Sequence, residues 1–195
     1  PAVCAAVARR RDPAAGLPAL REGERVLAVL GAAEVVHVAA VRRARRAARA
    51  VCLGVVDPET GERWLIDATP DLPSQLHDLN GLLAPKVRDL ASIGVLLTHG
   101  HIGHYAGLMY LGREAMGAQQ VPVYGMPRML RFLREHGPWE QLCRLKNVEL
   151  MELNHGRCVS LNDRISIQPF VVPHRGEYTE TVGMVISGPN RRVLY

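Results

Sequence analysis

The chain has 195 residues, of which 48% are hydrophobic and 22% are charged, so it is long and apolar enough to bury a core and is not a disordered chain. Its formal net charge is +5, but the excess lies in two arginine-rich stretches, 9–11 and 42–49, so the basicity is local. A membrane-spanning segment is excluded, because the most apolar run, VLAVLGAAEVVHVAAV, is too short and contains Glu34 and His37.

The first quarter of the chain contains few regular patterns. Residues 1–24 predict a loose N-terminal arm, and residues 25–195 predict a domain that is truncated at its C-terminal end. The run RVLAVLG at 25–31 predicts a first strand, and Ala39–Ala50 has helical composition. Two β-rich runs, 51–56 and 63–68, are joined by turn residues and predict a hairpin.

From residue 73 onwards, helical and β-like patterns alternate, and β-like runs follow. A short helix is predicted from Pro73 to Leu79, a strand buried on both faces at 93–98, and a helix over Tyr105–Met116. A strand at 121–125 and a helix from Pro127, broken by Gly137-Pro138, come next. The remaining β-like runs are VELMEL, ISIQPFVV, TVGMVIS and RRVLY. This order predicts an α/β fold with a mixed sheet.

The cysteines predict the compartment of the protein, and the chain ends predict that it is a fragment. The cysteines have neither CxxC spacing nor a small secreted frame, so they are expected to be reduced thiols, buried as small hydrophobes, in a cytoplasmic protein. They are Cys4, Cys52, Cys143 and Cys158. The chain begins without methionine and stops inside the β-like run at Tyr195, so we expect a fragment at both ends. A removed targeting segment therefore remains open.

A histidine cluster lies in LLTHGHIGHYAGLMYLG, residues 96–112. Residues i and i+2 of an extended chain point to the same side, so His99 and His101 can direct both rings at one point. If a helix begins near Gly103, His104 can turn towards the same point, and glycine permits the bend. Convergent imidazoles are typical of a zinc site. The alternative is three loop histidines that are exposed or that each form hydrogen bonds with a different partner.

The stretch THGHIGH resembles the HxHxDH signature of the metallo-β-lactamase fold superfamily, in which the first two histidines bind one metal and the Asp-His pair helps to bind a second. The longer run, with VPVYGMPRMLRFL and GPWEQL, looks most like the branch related to coenzyme PQQ biosynthesis protein B. The resemblance covers roughly residues 51–195 and implies an αββα sandwich, of which this chain would carry the first half and part of the second sheet.

Site residues follow from that resemblance one by one. His174, in FVVPHRGEYTETVGMVISG, matches the histidine that completes the first metal site; the alternative is an ordinary surface histidine. Asp67, in WLIDATPD, matches the aspartate that ends a strand under the metal site. It could orient a ligand histidine, or could cap the following turn.

The chain departs from the signature at Gly103, where the superfamily has an aspartate that ligates the second metal. The resemblance then implies one tightly bound ion, zinc or alternatively iron, held by His99, His101 and His174 with an open position, and His104 as a lone second-site ligand. A second departure is the segment between Gly31 and Ala50, to which no site is assigned.

Other candidate residues are expected to be structural. His37, His77, His136 and His155 have no partner nearby in sequence and are expected to be surface histidines. Trp64 and Trp139 are expected in the core or an interface. The arginines at 42–49 have no interleaved aromatic residues, which favours a solvated helix face over a phosphate-binding one. We therefore expect a small-molecule substrate and neither a nucleic-acid nor a membrane partner; the oligomeric state is left open.

Three functions are consistent with these residues. The first is a hydrolase in which a metal-bound hydroxide attacks an ester, amide, lactone or phosphodiester, with His104 and Asp67 as catalytic residues. The second follows the PQQ branch: a protein that oxidises or handles a cofactor precursor, with iron as an eligible metal. The third is a degenerate, non-enzymatic member that acts as a carrier or binds RNA.

Overall fold

A computed structural model describes residues 50–81 and 93–195 in full, and the backbone alone of two further strands, Leu27–Leu30 and Ala33–Val38. The predicted N-terminal arm at 1–24 and the predicted helix at 39–50, apart from its last residue, lie outside the described residues.

The first sheet has seven strands that neighbour one another in chain order. They are β1 (Leu27–Leu30), β2 (Ala33–Val38), β3 (Cys52–Val56), β4 (Arg63–Ile66), β5 (Ile93–Leu96), β6 (Val121–Gly125) and β7 (Val148–Glu152). The strands from β1 to β4 pair antiparallel, and those from β4 to β7 pair parallel. The predicted hairpin, β3–β4, and the mixed sheet are thus confirmed, whereas β2 was not predicted.

The second sheet is antiparallel and has the strand order β11-β10-β9-β8. Its strands are β8 (Val159–Ser160), β9 (Ser166–Val171), β10 (Val182–Ser187) and β11 (Arg192–Leu194). The predicted β-like runs are confirmed: the first of them forms β7 of the first sheet, and the others form β9, β10 and β11.

The helices of the described residues are short. They are α1 (Leu72–Asn80), α2 (Ile102–Tyr105), a 3₁₀ helix (Ala106–Leu111), α3 (Pro127–Glu135) and α4 (Trp139–Arg144). The predicted helix over Tyr105–Met116 is wrong beyond Leu111, and Ala115 is exposed. Leu108 and Leu111 are both buried, and their spacing of three residues fits the three residues per turn of a 3₁₀ helix.

Two apolar clusters show how the layers pack. One joins the first sheet to the helices and includes Leu65, Val95 and Trp139. The other lies between the two sheets and includes Trp64, Leu96 and Met184. Leu65 and Val95 therefore face the helices while Trp64 and Leu96 face the second sheet, so β4 and β5 are buried on both faces, as predicted for β5. Both tryptophans are core residues, as expected.

The cysteines agree only in part with the prediction of reduced, buried thiols. Cys52 and Cys143 are free thiols, and burial raises the pKa of Cys52 to about 12. Cys158 is exposed and disulfide-bonded, so the prediction is wrong at this position, and Cys4 lies outside the described residues. In the part of the chain that the structure describes, no helix has the length and hydrophobicity to span a bilayer.

Candidate metal centre

The ends of two neighbouring parallel strands build the floor of the site. β4 and β5 pair in parallel, so Asp67 follows β4 at the same sheet edge where Thr98 and His99 follow β5. The backbone N–H of Asp67 donates to the carbonyl of Leu96, which ties the two strand ends together at 2.8 Å. The carboxyl ends of parallel strands are a common ligand position in α/β folds.

The chain then turns into a helix and presents the next histidines. His101 is the extended residue at the start of α2, and His104 lies within that helix. His174 comes from the segment between β9 and β10, which belongs to the second sheet. The site is therefore formed by residues of both sheets.

Three imidazole rings meet at one point. The Nε2 atom of His99 lies 2.9 Å from Nδ1 of His101, and Nε2 of His174 lies 3.4 Å from the same Nδ1 atom. One ring nitrogen from each of these histidines lies within 4.8 Å of the others. Tetrahedral ligands at about 2.05 Å from zinc are about 3.3 Å apart, so the separations of 2.9 and 3.4 Å are close to those around such an ion.

Hydrogen bonds determine which nitrogen of His99 carries the proton. The Oγ1 atom of Thr98 lies 2.8 Å from Oδ1 of Asp67 and 2.9 Å from Nδ1 of His99. A carboxylate only accepts, so the Thr98 hydroxyl donates to Asp67 and its oxygen accepts from His99 Nδ1–H. The Nε2 atom of His99 is left unprotonated and faces the other two rings.

Asp67 is the buried acceptor beneath the cluster. It is fully buried, and it accepts from the Thr98 backbone N–H at 2.9 Å and from Nδ1 of His104 at 2.7 Å. Its backbone lies in the left-handed region, with φ of 71°, which aspartate tolerates better than most residues. His104 therefore directs its Nε2 atom away from Asp67, and its ring centroid lies 4.1 Å from that of His99.

The segment that carries His174 is attached to the histidine turn by hydrogen bonds. The Gly100 N–H donates to Oγ1 of Thr179 at 2.7 Å. A Cβ atom at Gly100 would lie 2.8 Å from Cγ2 of Thr179, so glycine is needed for this approach. The side chain of Glu177 also reaches the site, with Oε2 at 3.1 Å from Nε2 of His101.

The electrostatic environment keeps His99 neutral. Burial, followed by the neighbouring histidines, lowers the pKa of His99 to about 4. The hydrogen bond to Asp67 raises the pKa of His104. The pKa of Glu177 is lowered, first by a backbone hydrogen bond and then by His101. A neutral His99 keeps a lone pair on Nε2, and lone pairs that converge on one point repel unless a cation lies between them.

The structure brings together His99, His101, His104, His174 and Asp67, and their roles remain predictions. The other described histidines lie elsewhere: Nδ1 of His136 bonds the Phe132 carbonyl at 2.9 Å, and Nδ1 of His155 accepts from Val171 N–H at 3.0 Å. His37 lies on β2, whose side chains are outside the described residues.

Sequence reasoning missed three residues of the site. Thr98 could have been noticed, because it stands directly before the first histidine at the end of a predicted strand. Glu177 and Thr179 have no such signal, since their contacts with His101 and Gly100 span 76 and 79 residues of chain.

Comparisons with known proteins give a matching family and several relatives. The family described as "Beta-lactamase superfamily domain" matches residues 62–195. "Coenzyme PQQ synthesis protein B" of Methylorubrum extorquens is 30% identical over 162 residues, which cover 72% of this chain and 50% of that protein. "Ribonuclease J" of Pyrococcus abyssi is 27% identical over 109 residues, which cover 56% of this chain and 23% of that protein. The chain thus spans half or less of the length of these relatives.

Among solved structures, the zinc-bound PqqB from Methylobacterium extorquens has the same fold. Its TM-score is 0.61 at 24% sequence identity, and the alignment covers 77% of this chain and 50% of that one. The predicted fold class, a metallo-β-lactamase-like α/β fold, is confirmed.

Proposed function

Because the chain belongs to the β-lactamase superfamily domain family over residues 62–195, we propose that it is a metal-dependent hydrolase whose ion is held by His99, His101 and His174. The observation that carries the proposal is the meeting of three ring nitrogens within 4.8 Å. Zinc is the proposed ion, with iron as the alternative, because imidazole nitrogens suit both. The zinc-bound PqqB of similar fold supports zinc.

The roles of the side chains follow from their hydrogen bonds. When bound, a zinc ion supplies Lewis-acid activation of water, whose pKa falls to about 7 on coordination. Thr98 and Asp67 orient His99. Asp67 also accepts the Nδ1 proton of His104, so Nε2 of His104 is the ring nitrogen that can take up or return a proton beside the cluster. The hydrogen bond to Asp67 raises the pKa of His104, so this ring takes up a proton more readily than a free imidazole does.

Gly103 limits the site to one tightly bound ion. It stands where the superfamily signature has an aspartate, and it offers no ligand atom. A Cβ atom at Gly103 would meet nothing within 4 Å, so the aspartate would fit. We expect metal analysis to give one zinc per chain for the wild type and a second, weaker equivalent for Gly103→Asp. Two firmly bound equivalents in the wild type would contradict the proposal.

The reaction is tested with small chromogenic substrates. We expect hydrolysis of an ester, amide, lactone or phosphodiester, and the similarity to a ribonuclease makes the phosphodiester bis(p-nitrophenyl) phosphate the first probe. His99→Ala is expected to abolish turnover and zinc binding together. His77→Ala, an exposed histidine in α1, is the matched control and is expected to change neither. Unchanged zinc binding in His99→Ala, His101→Ala and His174→Ala would overturn the proposal.

A second candidate is a role in making or handling a precursor of the quinone cofactor PQQ. The observation that favours it is the 30% identity to coenzyme PQQ synthesis protein B over 162 residues. Purification without oxygen and identification of the metal separate the two candidates. Bound iron with oxygen-dependent turnover supports oxidation, and zinc with oxygen-independent turnover supports hydrolysis.

A further inference from the structure

Glu177 contacts His101, a ligand histidine to which the Thr98–Asp67 pair makes no hydrogen bond. Its Oε2 atom lies 3.1 Å from Nε2 of His101, and its Oε1 atom lies 2.7 Å from Nε of Arg175. The carboxylate is thus held from one side by Arg175 and presents its second oxygen to the His101 ring.

The two ring nitrogens of His101 have different roles, so Nε2 needs a hydrogen-bond acceptor outside the histidine cluster. In the proposed site Nδ1 is the ligand atom, so the proton must reside on Nε2. A histidine that ligates a metal usually donates its other N–H to a carboxylate, a carbonyl or water. For His101 the structure offers Glu177 at that position.

We infer that Glu177 is a positioning residue that holds His101 in the Nε2–H tautomer and so turns its Nδ1 lone pair towards His99 and His174. The inference rests on the proposed metal site. It also assigns a task to the segment between β9 and β10, because His174 and Glu177 lie three residues apart on it. The segment supplies one ligand and orients another.

The segment is anchored well enough for this task. Thr179 accepts from the Gly100 N–H at 2.7 Å, and the carboxylate of Glu180 accepts from the Arg128 N–H at 3.1 Å. Beyond Thr179, the Val182 N–H donates to the carbonyl of Thr98 at 3.1 Å. These contacts lie within five residues of Glu177 and fix it beside the histidine turn.

The first test reads the tautomer in metal-free protein. Ring ¹⁵N chemical shifts in histidine-labelled protein report which nitrogen of His101 is protonated. We expect Nε2–H in the wild type, a mixture of tautomers in Glu177→Ala, and recovery of Nε2–H in Glu177→Gln, whose carbonyl oxygen still accepts. A His101 tautomer that is the same in the wild type and in both variants would overturn the inference.

The second test measures zinc affinity by competition with a chelator. Glu177→Ala is expected to weaken zinc binding about 10-fold, near the lower end for loss of such a partner because the carboxylate is partly exposed. Glu177→Gln is expected to restore most of the affinity. Glu140→Ala is the matched control, because Glu140 has the same 44% exposure and also pairs with an arginine. It is expected to bind zinc as the wild type does.

These tests fail in distinguishable ways. If zinc binding needs His99, His101 and His174 but Glu177→Ala changes neither tautomer nor affinity, only the role of Glu177 is overturned. If zinc binding does not need the three histidines, the proposed function fails first. Thermal unfolding of each variant shows whether a loss of affinity comes from a loss of fold.

Discussion

At the scale of single residues, Asp67 has more tasks than any other described side chain near the site. It accepts from the Thr98 backbone, the Thr98 hydroxyl and the His104 ring, and through Thr98 it orients His99. The bonds that involve Thr98 are buried and the bond to His104 is partly buried, and an unsatisfied donor in such a place is costly. A single carboxylate therefore couples the stability of the strand ends to the geometry of two histidines.

Replacing Asp67 by asparagine tests this coupling, since asparagine tolerates the same left-handed backbone. The amide has one oxygen, so it cannot accept all the bonds that the carboxylate accepts. We expect Asp67→Asn to lower the free energy of unfolding by about 1–3 kcal/mol and zinc affinity by about 10-fold or more. Urea unfolding and zinc competition check this. Asp163→Asn, at an exposed position between β8 and β9, is the control, and equal effects in the two variants would contradict the assignment.

The pKa of His99 predicts a dependence of stability on pH in the metal-free protein. The folded value is about 4 against an ordinary value of 6.5, so between these values the unfolded chain binds more protons. The free energy of unfolding must therefore fall as the pH is lowered through that window, by at most about 2 kcal/mol between pH 6.5 and about pH 5. The pKa of His104 is raised, so its contribution to the free energy of unfolding is fully present below pH 6.5 and is lost only at higher pH.

Urea unfolding in the presence of a chelator measures this dependence. His99→Gln removes the titrating group and is expected to flatten the curve over the same window. A wild-type curve that is already flat, or a variant that keeps the wild-type slope, would show that His99 is not the group responsible.

At the scale of elements, the turn from β4 into α1 packs tightly against the 3₁₀ helix. The Gly107 N–H donates to the carbonyl of Ala68 at 2.9 Å. A Cβ atom at Gly107 would collide with the Thr69 carbonyl oxygen and would lie 2.9 Å from that of Ala68. The same chain segment carries Gly103, whose surroundings are open.

These two glycines form a matched pair. Gly107→Ala is expected to lower the free energy of unfolding by about 3 kcal/mol, at the upper end for overpacking, because the obstructing atoms belong to the backbone. Gly103→Ala should leave stability unchanged or raise it slightly, since alanine favours helix. Thermal unfolding of both variants checks this, and the reverse order of stability would contradict the packing described here.

Helices and strands could be predicted where a local pattern of apolar residues indicates them. Contacts between residues that are distant in sequence could not be predicted. The run at 93–98 is continuously apolar, which correctly indicated a strand buried on both faces. The spacing of Leu108 and Leu111 led to the prediction of a longer helix, but a 3₁₀ turn buries the same two positions. The close approach of Gly107 to Thr69 has no signal in the local sequence. His99, His101 and His104 are neighbours in sequence, whereas the partnership of Glu177 with His101 depends on how the two sheets pack.

At the scale of the whole molecule, the candidate ion would connect the two sheets. His99 and His101 follow β5 of the first sheet, and His174 precedes β10 of the second. Trp64 lies between the sheets and Trp139 lies against the helices, so the two residues report on different layers. Zinc that binds only the folded protein at 100 times its dissociation constant stabilises it by about 2.7 kcal/mol.

We expect that zinc raises the unfolding midpoint seen by both tryptophans, in variants that keep only one of them. The reason is that the ligands come from both sheets, so neither sheet can unfold without releasing the ion. His174→Ala is expected to remove most of this increment at the same zinc concentration, while His77→Ala keeps it. If zinc still raises the unfolding midpoint of His174→Ala, or raises the midpoint reported by Trp139 and not the one reported by Trp64, the ion is bound by the first sheet alone.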